Sequence, residues 1–199
     1  MGANHSATSA NTEKAIVSPV KLAHFVVRTS NFKEIVDWYL KVLGAEISYA
    51  NDQLAFMTYD DEHHRVAVLN IPGLAKQPDG IVGIHHVAFT YATLNDLMST
   101  YERLKKMDIK PVYVINHGPT TSLYYADPDG NQLEFQIDNY DTVEEAGKFF
   151  FSKEFAENPI GVEFDPDELL ARLRAGEPES ELKKRPNVGS KDLSDVKLK

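Results

Sequence analysis

Apolar and polar residues alternate along much of residues 20–140, and two stretches interrupt this pattern with apolar residues at helical spacing. The first stretch places one set of apolar side chains on a single face: Phe32, Ile35, Val36, Tyr39, Leu40 and Leu43. Residues three and four apart share a helix face, so the pattern predicts a helix that ends at Gly44. Four predicted strands surround it and give a βαβββ unit: 20–28, 45–49, 53–59 and 66–70.

The start of the first helix also carries a capping signal. Asn31 is an N-cap residue type, and Glu34 follows it by three positions. This spacing predicts a capping box, in which the two side chains satisfy backbone N–H groups at the helix start.

The same order of elements repeats after a linker at 71–82, which is rich in proline and glycine. The second unit has one predicted helix and four predicted strands: 94–107, 84–90, 112–116, 122–126 and 132–137. Placing His24 on His86 aligns Phe32 with Leu94 without a gap. The register indicates an internal duplication, with the two histidines at equivalent points.

The composition excludes several classes of protein. The net charge of −9 argues against a nucleic-acid-binding face, and the absence of cysteine excludes disulfides and thiolate metal sites. No apolar run approaches the roughly 20 residues of a membrane span. We therefore expect a cytoplasmic protein with no nucleic-acid or membrane partner.

The chain is expected to divide into four parts. Low complexity at the start and charge at the end predict disorder there, and Asp165 before Pro166 predicts a short helix between them. The predicted parts are a disordered leader at 1–18, a domain at 19–140 made of modules 19–72 and 82–140, an extension at 141–175 and a disordered charged tail at 176–199.

The most informative stretch is Tyr124–Gln136. Asp127-Pro128-Asp129-Gly130 has proline and glycine at the positions that favour a β-turn. In the strand that follows, polar and apolar residues alternate, so Glu134 lies on a polar face. Two histidines and one carboxylate on separate strands, here His24, His86 and Glu134, are a donor set that suits a divalent metal.

These motifs resemble the vicinal oxygen chelate superfamily, which includes glyoxalases, bleomycin resistance proteins and type I extradiol dioxygenases. The resemblance covers roughly residues 20–140 and rests on the histidine-started strands and the DPDG-x-x-LE motif. It implies an α+β fold in which two βαβββ modules lie side by side and form an incomplete β-barrel around a metal site. His24, His86 and Glu134 match the family's metal ligands, with His85 as the rival of His86.

Within the superfamily, the chain most resembles single-domain extradiol dioxygenases of the catechol or biphenyl-2,3-diol type. Glyoxalase I enzymes take a fourth ligand from the last strand of the first module, which here has no carboxylate or imidazole at its inner positions. Tyr124, 10 residues before Glu134 (134 − 124), and His117, 7 before Tyr124 (124 − 117), match catalytic residues of extradiol enzymes. The segment 155–165 also resembles tails of biphenyl-diol dioxygenase-like bacterial proteins.

The resemblance implies Fe(II), with Mn(II), Ni(II) or Zn(II) as alternatives, a small aromatic diol and O2 as substrates, and a homodimer. His64 and Phe149 are expected to bind substrate, although a solvated turn and a core or dimer contact are the respective alternatives. Tyr124 can also be a packed side chain, and His117 a surface residue of a turn-rich loop. The alternative functions are a non-oxidative, glyoxalase-like lyase or isomerase and a small-molecule-binding resistance-type module.

Overall fold

The computed structural model describes residues 16–78 and 80–192, so most of the expected leader and the end of the expected tail lie outside the described residues. The described chain contains these elements: β1 (Phe25–Thr29), α1 (Phe32–Leu43), β2 (Glu46–Ala50), β3 (Leu54–Thr58), β4 (Val66–Asn70), β5 (His86–Thr90), α2 (Leu94–Lys106), β6 (Tyr113–Asn116), β7 (Thr120–Ala126), β8 (Gln132–Asp138), α3 (Val143–Phe149), α4 (Lys153–Glu157), β9 (Val162–Glu163), α5 (Pro166–Arg174) and α6 (Glu179–Leu182).

The strands form two mixed sheets, one in each predicted module. The first sheet has the order β1-β4-β3-β2 and the second has the order β5-β8-β7-β6-β9. In both, the first strand of the module runs parallel to the last, and the other pairs are antiparallel. The predicted α+β fold of two βαβββ units is confirmed, with two open sheets rather than a closed barrel. β9, which comes from the extension, was not predicted.

One face of each sheet packs against the helices, and a single large cluster of buried apolar side chains spans both modules. Tyr39 and Val68 contribute to it from module 1, and Leu97 and Phe135 from module 2. This arrangement follows from the strand periodicity, which places alternate side chains on the helix side. The opposite face of each sheet is therefore available for chemistry.

The start of α1 differs from the predicted capping box. The Asn31 side chain makes no capping hydrogen bond; its amide instead donates to Oδ1 of Asp129, at 2.7 Å. The hydroxyl of Thr29 donates to Oδ2 of the same carboxylate, at 2.5 Å. A charged acceptor from module 2 thus replaces the local backbone partner. At its other end, α1 is followed by Gly44 with φ of 63°, as predicted.

The turn at Asp127–Gly130 forms as predicted, with the amide of Gly130 donating to the carbonyl of Asp127 at 2.9 Å. Oδ1 of Asp127 accepts from the amides of Asp129 and Asn131, and Oδ2 accepts from the hydroxyl of Tyr39 in α1 at 3.3 Å. Burial raises the pKa of the Asp127 carboxyl. Together, Asp127 and Asp129 bind Tyr39, Thr29 and Asn31, and we call these bonds the inter-module cluster.

The extension continues into an ordered segment that the sequence analysis did not anticipate. α5 begins at Pro166 and is capped by Asp165, in line with the sequence pattern. In the part of 176–199 that the structure describes, α6 forms and buries Leu182, which is 7% exposed, against the main core. One apolar side chain among charged neighbours gives little sequence signal. No helix among the described residues has the length and apolar character needed to cross a bilayer.

Candidate active site

Glu134 lies on an inner strand of the second sheet, on the face away from the helices. Its strand, β8, runs between β5 and β7, and the pairing sets Ala88 and Tyr124 on either side of it. The Glu134 side chain is buried, with 5% of the residue exposed. Burial raises its pKa, but hydrogen bonds from His86, Ser122 and Tyr124 outweigh burial, so the net pKa is lowered. The site therefore holds a buried, ionised carboxylate at neutral pH.

His86, the first residue of β5, is the histidine that reaches this carboxylate. Its Nε2 lies 3.0 Å from Oε2 of Glu134. The neighbouring ring of His85 approaches His86 instead, with 2.7 Å between the two Nδ1 atoms. His86 also packs edge-on against Tyr124, with ring centroids 5.1 Å apart.

Tyr124 and His117 complete the cluster around Glu134. The Tyr124 hydroxyl lies 3.1 Å from Nε2 of His117, and that Nε2 is 3.9 Å from Oε1 of Glu134. Burial, and then the charge of Glu134, raise the pKa of Tyr124, so its hydroxyl keeps its proton. Burial lowers the pKa of His117, which favours the neutral ring. The cluster thus pairs a hydroxyl donor with an imidazole that can accept a proton.

His24 lies with a different set of side chains, directly before β1. Its ring centroid is 4.3 Å from that of His64, whose ring stacks on Phe56 at 4.6 Å. His24 also lines a cavity of about 340 Å³ beside β1 and β5, together with Tyr59 and other residues. Burial, and then the neighbouring His24 and His63, lower the pKa of His64. Among the described residues, the predicted ligand His24 is therefore not grouped with His86 and Glu134.

Two of the three predicted ligands fit a divalent metal by their chemistry. The imidazole of His86 and the buried carboxylate of Glu134 are donors that such ions accept, and they are already in contact. Within residues 16–78 and 80–192, however, no group of three or more His, Cys, Asp or Glu side chains is placed to hold a metal ion. The described residues therefore supply one pair of candidate donors rather than a complete set of ligands.

Phe149 packs on the β6–β7 loop at Gly118, the residue that follows His117. Its ring fills the space next to Gly118, because a Cβ on that glycine would come within 2.3 Å of the ring. The guanidinium of Arg185 lies over the same ring, 5.0 Å from its centroid. Phe151, by contrast, is 93% exposed. Of the three consecutive phenylalanines, Phe149 is the one that the structure places next to the site.

Several residues at the site were missed by the sequence analysis. Ser122 bonds to Glu134, and the Ile160 carbonyl lies 2.5 Å from Nδ1 of His117. Asn158 accepts from the amides of Ile160 and Gly161, and Arg185 donates to the carbonyl of Asn158. The signal that could have pointed to them is weak: Asn158-Pro-Ile-Gly161 is typical of a turn, and turn residues are common in any loop.

Comparison of this sequence with those of known proteins shows which family it resembles. The family model of the Glyoxalase/Bleomycin resistance protein/Dioxygenase superfamily matches residues 21–135. Biphenyl-2,3-diol 1,2-dioxygenase 2 of Rhodococcus globerulus is 48% identical over 159 residues, which cover 79% of this chain and 84% of the relative. Biphenyl-2,3-diol 1,2-dioxygenase 3 of the same organism is 45% identical over 167 residues, covering 83% and 88%.

The fold is also seen in solved structures. A glyoxylase/bleomycin resistance protein/dioxygenase domain from Frankia sp. EAN1pec superposes with a TM-score of 0.51 at 17% identity, covering 61% of this chain and 99% of that domain. At this identity the similarity concerns the fold alone.

Proposed function

The chain belongs to the Glyoxalase/Bleomycin resistance protein/Dioxygenase superfamily, and from this premise we propose that it is an extradiol ring-cleaving dioxygenase acting on a catechol-type aromatic diol with O2. One observation carries the proposal beyond family membership. The buried carboxylate of Glu134 contacts His86 and Tyr124, and His117 lies next to both Tyr124 and Glu134. This combination offers metal donors and proton-transfer groups on one sheet face.

We propose His24, His86 and Glu134 as the metal ligands and Fe(II) as the metal; Mn(II), Ni(II) and Zn(II) accept the same donors. For His86 and Glu134 the support is their mutual contact at 3.0 Å. For His24 the support is its equivalence to His86 in the duplicated module. When bound, Fe(II) supplies Lewis acidity toward the diol oxygens and the redox chemistry that O2 requires.

The residues of the chain then have separate roles in the proposed reaction. Tyr124 keeps its proton, because burial raises its pKa, and donates a hydrogen bond to a substrate oxygen. His117, neutral because burial lowers its pKa, accepts at Nε2 the proton that a diol hydroxyl loses. Phe149 walls the side of the site next to His117 and excludes water. His64, stacked beside His24, is proposed as a substrate contact on the module 1 side.

The test is ring cleavage by the full chain. Protein purified without oxygen and loaded with Fe(II) is mixed with a panel of catechols that includes biphenyl-2,3-diol, and oxygen uptake is followed together with product absorbance. We expect a coloured ring-cleavage product and matched oxygen consumption. His24→Ala, His86→Ala and Glu134→Ala should fall to the background rate, whereas the matched control His85→Ala should keep most of the activity.

Two results would count against the proposal. Stoichiometric metal binding without oxygen consumption on any diol would exclude ring cleavage and favour a non-oxidative reaction of the superfamily. Full activity in His24→Ala would remove His24 from the ligand set while leaving the reaction in place.

We also propose that the protein is a cytoplasmic homodimer. The outer face of the first sheet supports a dimer, because Val26 and Tyr49 are 49% and 54% exposed there. Light scattering in solution measures the oligomeric state, and a monomer at micromolar concentration would contradict this part of the proposal. Cell fractionation tests the compartment.

A further inference from the structure

The extension returns to the second sheet and touches the backbone of His117. Its strand β9 pairs with β6 through Asn116 and Val162. Gly161, just before β9, has φ of 121°, and a Cβ there would lie 2.5 Å from the carbonyl oxygen of Asn116 and 2.9 Å from Cα of His117. Only glycine permits this approach. The extension is therefore seated directly beside a proposed catalytic residue.

This approach leaves His117 held at both ring nitrogens. Nδ1 lies 2.5 Å from the carbonyl oxygen of Ile160, and Nε2 lies 3.1 Å from the hydroxyl of Tyr124. A carbonyl only accepts hydrogen bonds, so Nδ1 must carry a hydrogen. In the neutral ring, Nε2 then has the lone pair, and this lone pair faces Tyr124. The backbone of the extension thus selects the tautomer of His117.

Asn158 fixes the direction of the Ile160 carbonyl. Its side chain is buried, with 4% of the residue exposed. Oδ1 accepts from the amides of Ile160 and Gly161 at 3.1 and 2.8 Å, and Nδ2 donates to the carbonyl of Gly161 at 3.1 Å. Both ends of the side-chain amide are satisfied by this one loop, and these bonds restrain the peptide group that carries the Ile160 carbonyl.

Arg185 ties the same loop to His117 from the other side. Its Nη1 donates to the carbonyls of His117 and Asn158, at 3.2 and 2.8 Å, and its Nη2 donates to the carbonyl of Glu154 at 2.9 Å. The planar face of the guanidinium covers the Phe149 ring. A rigid fork of donors suits three carbonyls from two segments, which the single ammonium of lysine cannot reproduce.

We propose that Asn158 and Arg185 are positioning residues for His117. They hold the Ile160 carbonyl against Nδ1, and this contact keeps Nε2 directed at Tyr124. Neither side chain touches the substrate, and both act through the imidazole. The predicted effect on turnover rests on the proposed function, whereas the tautomer is a property of the folded chain and is measured independently.

The first measurement is the tautomer itself. The full chain is labelled with ¹⁵N-histidine and loaded with diamagnetic Zn(II), and the His117 ring is assigned by its loss in His117→Gln. We expect a single Nδ1–H tautomer in the wild type. Asn158→Ala and Arg185→Ala should give a mixture with the Nε2–H form. Arg174→Ala is the matched control, since this arginine bonds to α2 far along the extension, and it should keep the wild-type spectrum.

The second measurement is the division between kcat and KM in the Fe(II) protein. Asn158→Ala and Arg185→Ala should lower kcat by about 10- to 100-fold, by analogy with the loss of groups that orient metal-binding histidines, with KM near the wild-type value. Asn158→Asp keeps the acceptor for the two amides and should recover part of kcat. Arg185→Lys should fall between wild type and Arg185→Ala.

The outcomes separate the two proposals. A wild-type ring in the Nε2–H form, or wild-type tautomer and kcat in folded Asn158→Ala and Arg185→Ala, would overturn the positioning role. Circular dichroism checks folding, and the conservative variants decide the matter if an alanine variant unfolds. If the wild type turns over no diol, the proposed function fails, and the tautomer data still decide whether the extension positions His117.

Discussion

The two modules share one pairing pattern, but the buried carboxylate of the candidate active site lies in module 2. In module 2, Ala88 of the first strand pairs with Glu134 of the last. The equivalent pair in module 1, 62 positions earlier on the first strand (88 − 26), is Val26 with Ala67. A methyl group in module 1 therefore occupies the position of the buried carboxylate.

On the neighbouring strand, too, a polar side chain of module 2 has an apolar counterpart in module 1. Tyr124 pairs with Glu134 in module 2, and Phe56 pairs with Ala67 in module 1. On the helix side the equivalent positions both stay apolar and buried, as with Phe135 and Val68. The helix-facing side is constrained by packing in both modules, whereas the outer side is free to differ. The duplication thus supplies the fold twice, whereas the pair of Tyr124 and Glu134 has only apolar counterparts, Phe56 and Ala67, in module 1.

The largest expected effect comes from two single variants, one at Tyr124 and one at the equivalent position, Phe56. Tyr124→Phe removes the hydroxyl that contacts His117 and Glu134, and we expect kcat to fall by about 100-fold, as for loss of one donor at an active site. Phe56→Tyr, the reverse change in module 1, should leave kcat within about twofold. Steady-state ring-cleavage assays measure both. Equal losses in the two variants would mean that the modules are functionally alike.

The variant Tyr125→Phe tests whether the two faces of β7 differ in function. Tyr125 is adjacent to Tyr124 but points to the core, where its hydroxyl is buried without a hydrogen-bond partner within residues 16–78 and 80–192. Removing an unpartnered buried hydroxyl should leave the free energy of unfolding unchanged or raise it by about 1 kcal/mol. Urea denaturation measures this, and kcat should not change. A loss of stability would show that the hydroxyl is satisfied in solution.

A smaller effect is expected where the two modules meet. Asp129→Ala removes the acceptor of Thr29 and Asn31, and we expect a loss of about 1–3 kcal/mol in the free energy of unfolding. The control is Asp61→Ala, in the exposed turn before the last strand of module 1, with a change within about 0.5 kcal/mol. Urea denaturation at pH 7 gives both values. Similar losses would mean that the turn of module 2 makes no special contact.

The smallest expected effect is the pH dependence of Asp127. Burial raises its pKa, so the folded state binds more protons than the unfolded state above the unfolded pKa of about 3.9. Its contribution to stability is full below that pKa and is lost as pH rises through the folded pKa. The free-energy difference between wild type and Asp127→Asn should therefore shift against the wild type as pH rises from 4 to 7. A shift in its favour would contradict the raised pKa.

Local patterns in the sequence were sufficient for the elements and for the face on which Glu134 lies. They were insufficient at Asn31, because the capping box is a local rule and the competing acceptor, Asp129, lies 98 residues away. The position of His24 relative to the other predicted ligands could not be predicted from local patterns either. The distance from His24 to His86 depends on how the two sheets are set against each other, which no strand pattern specifies.

The support of His117 by the extension was beyond prediction for a different reason. The group that contacts Nδ1 is the backbone carbonyl of Ile160, and a carbonyl is present at every position of every sequence. Arg185 in turn donates its hydrogen bonds, among the residues that the structure describes, to backbone carbonyls. Contacts of this kind leave no residue-type signature, so only the folded chain reveals them.

The inter-module cluster has a consequence for synthesis on the ribosome. Thr29 and Asp129 are 100 residues apart, so at typical elongation rates Thr29 is made about 5–20 s before its partner. During that interval α1 lacks the carboxylate that Asn31 binds, and module 1 is held by its own core alone. Translation of module 2 therefore completes the hydrogen bonds of module 1. A pause before residue 129 would prolong the exposure of the incomplete domain to chaperones and proteases.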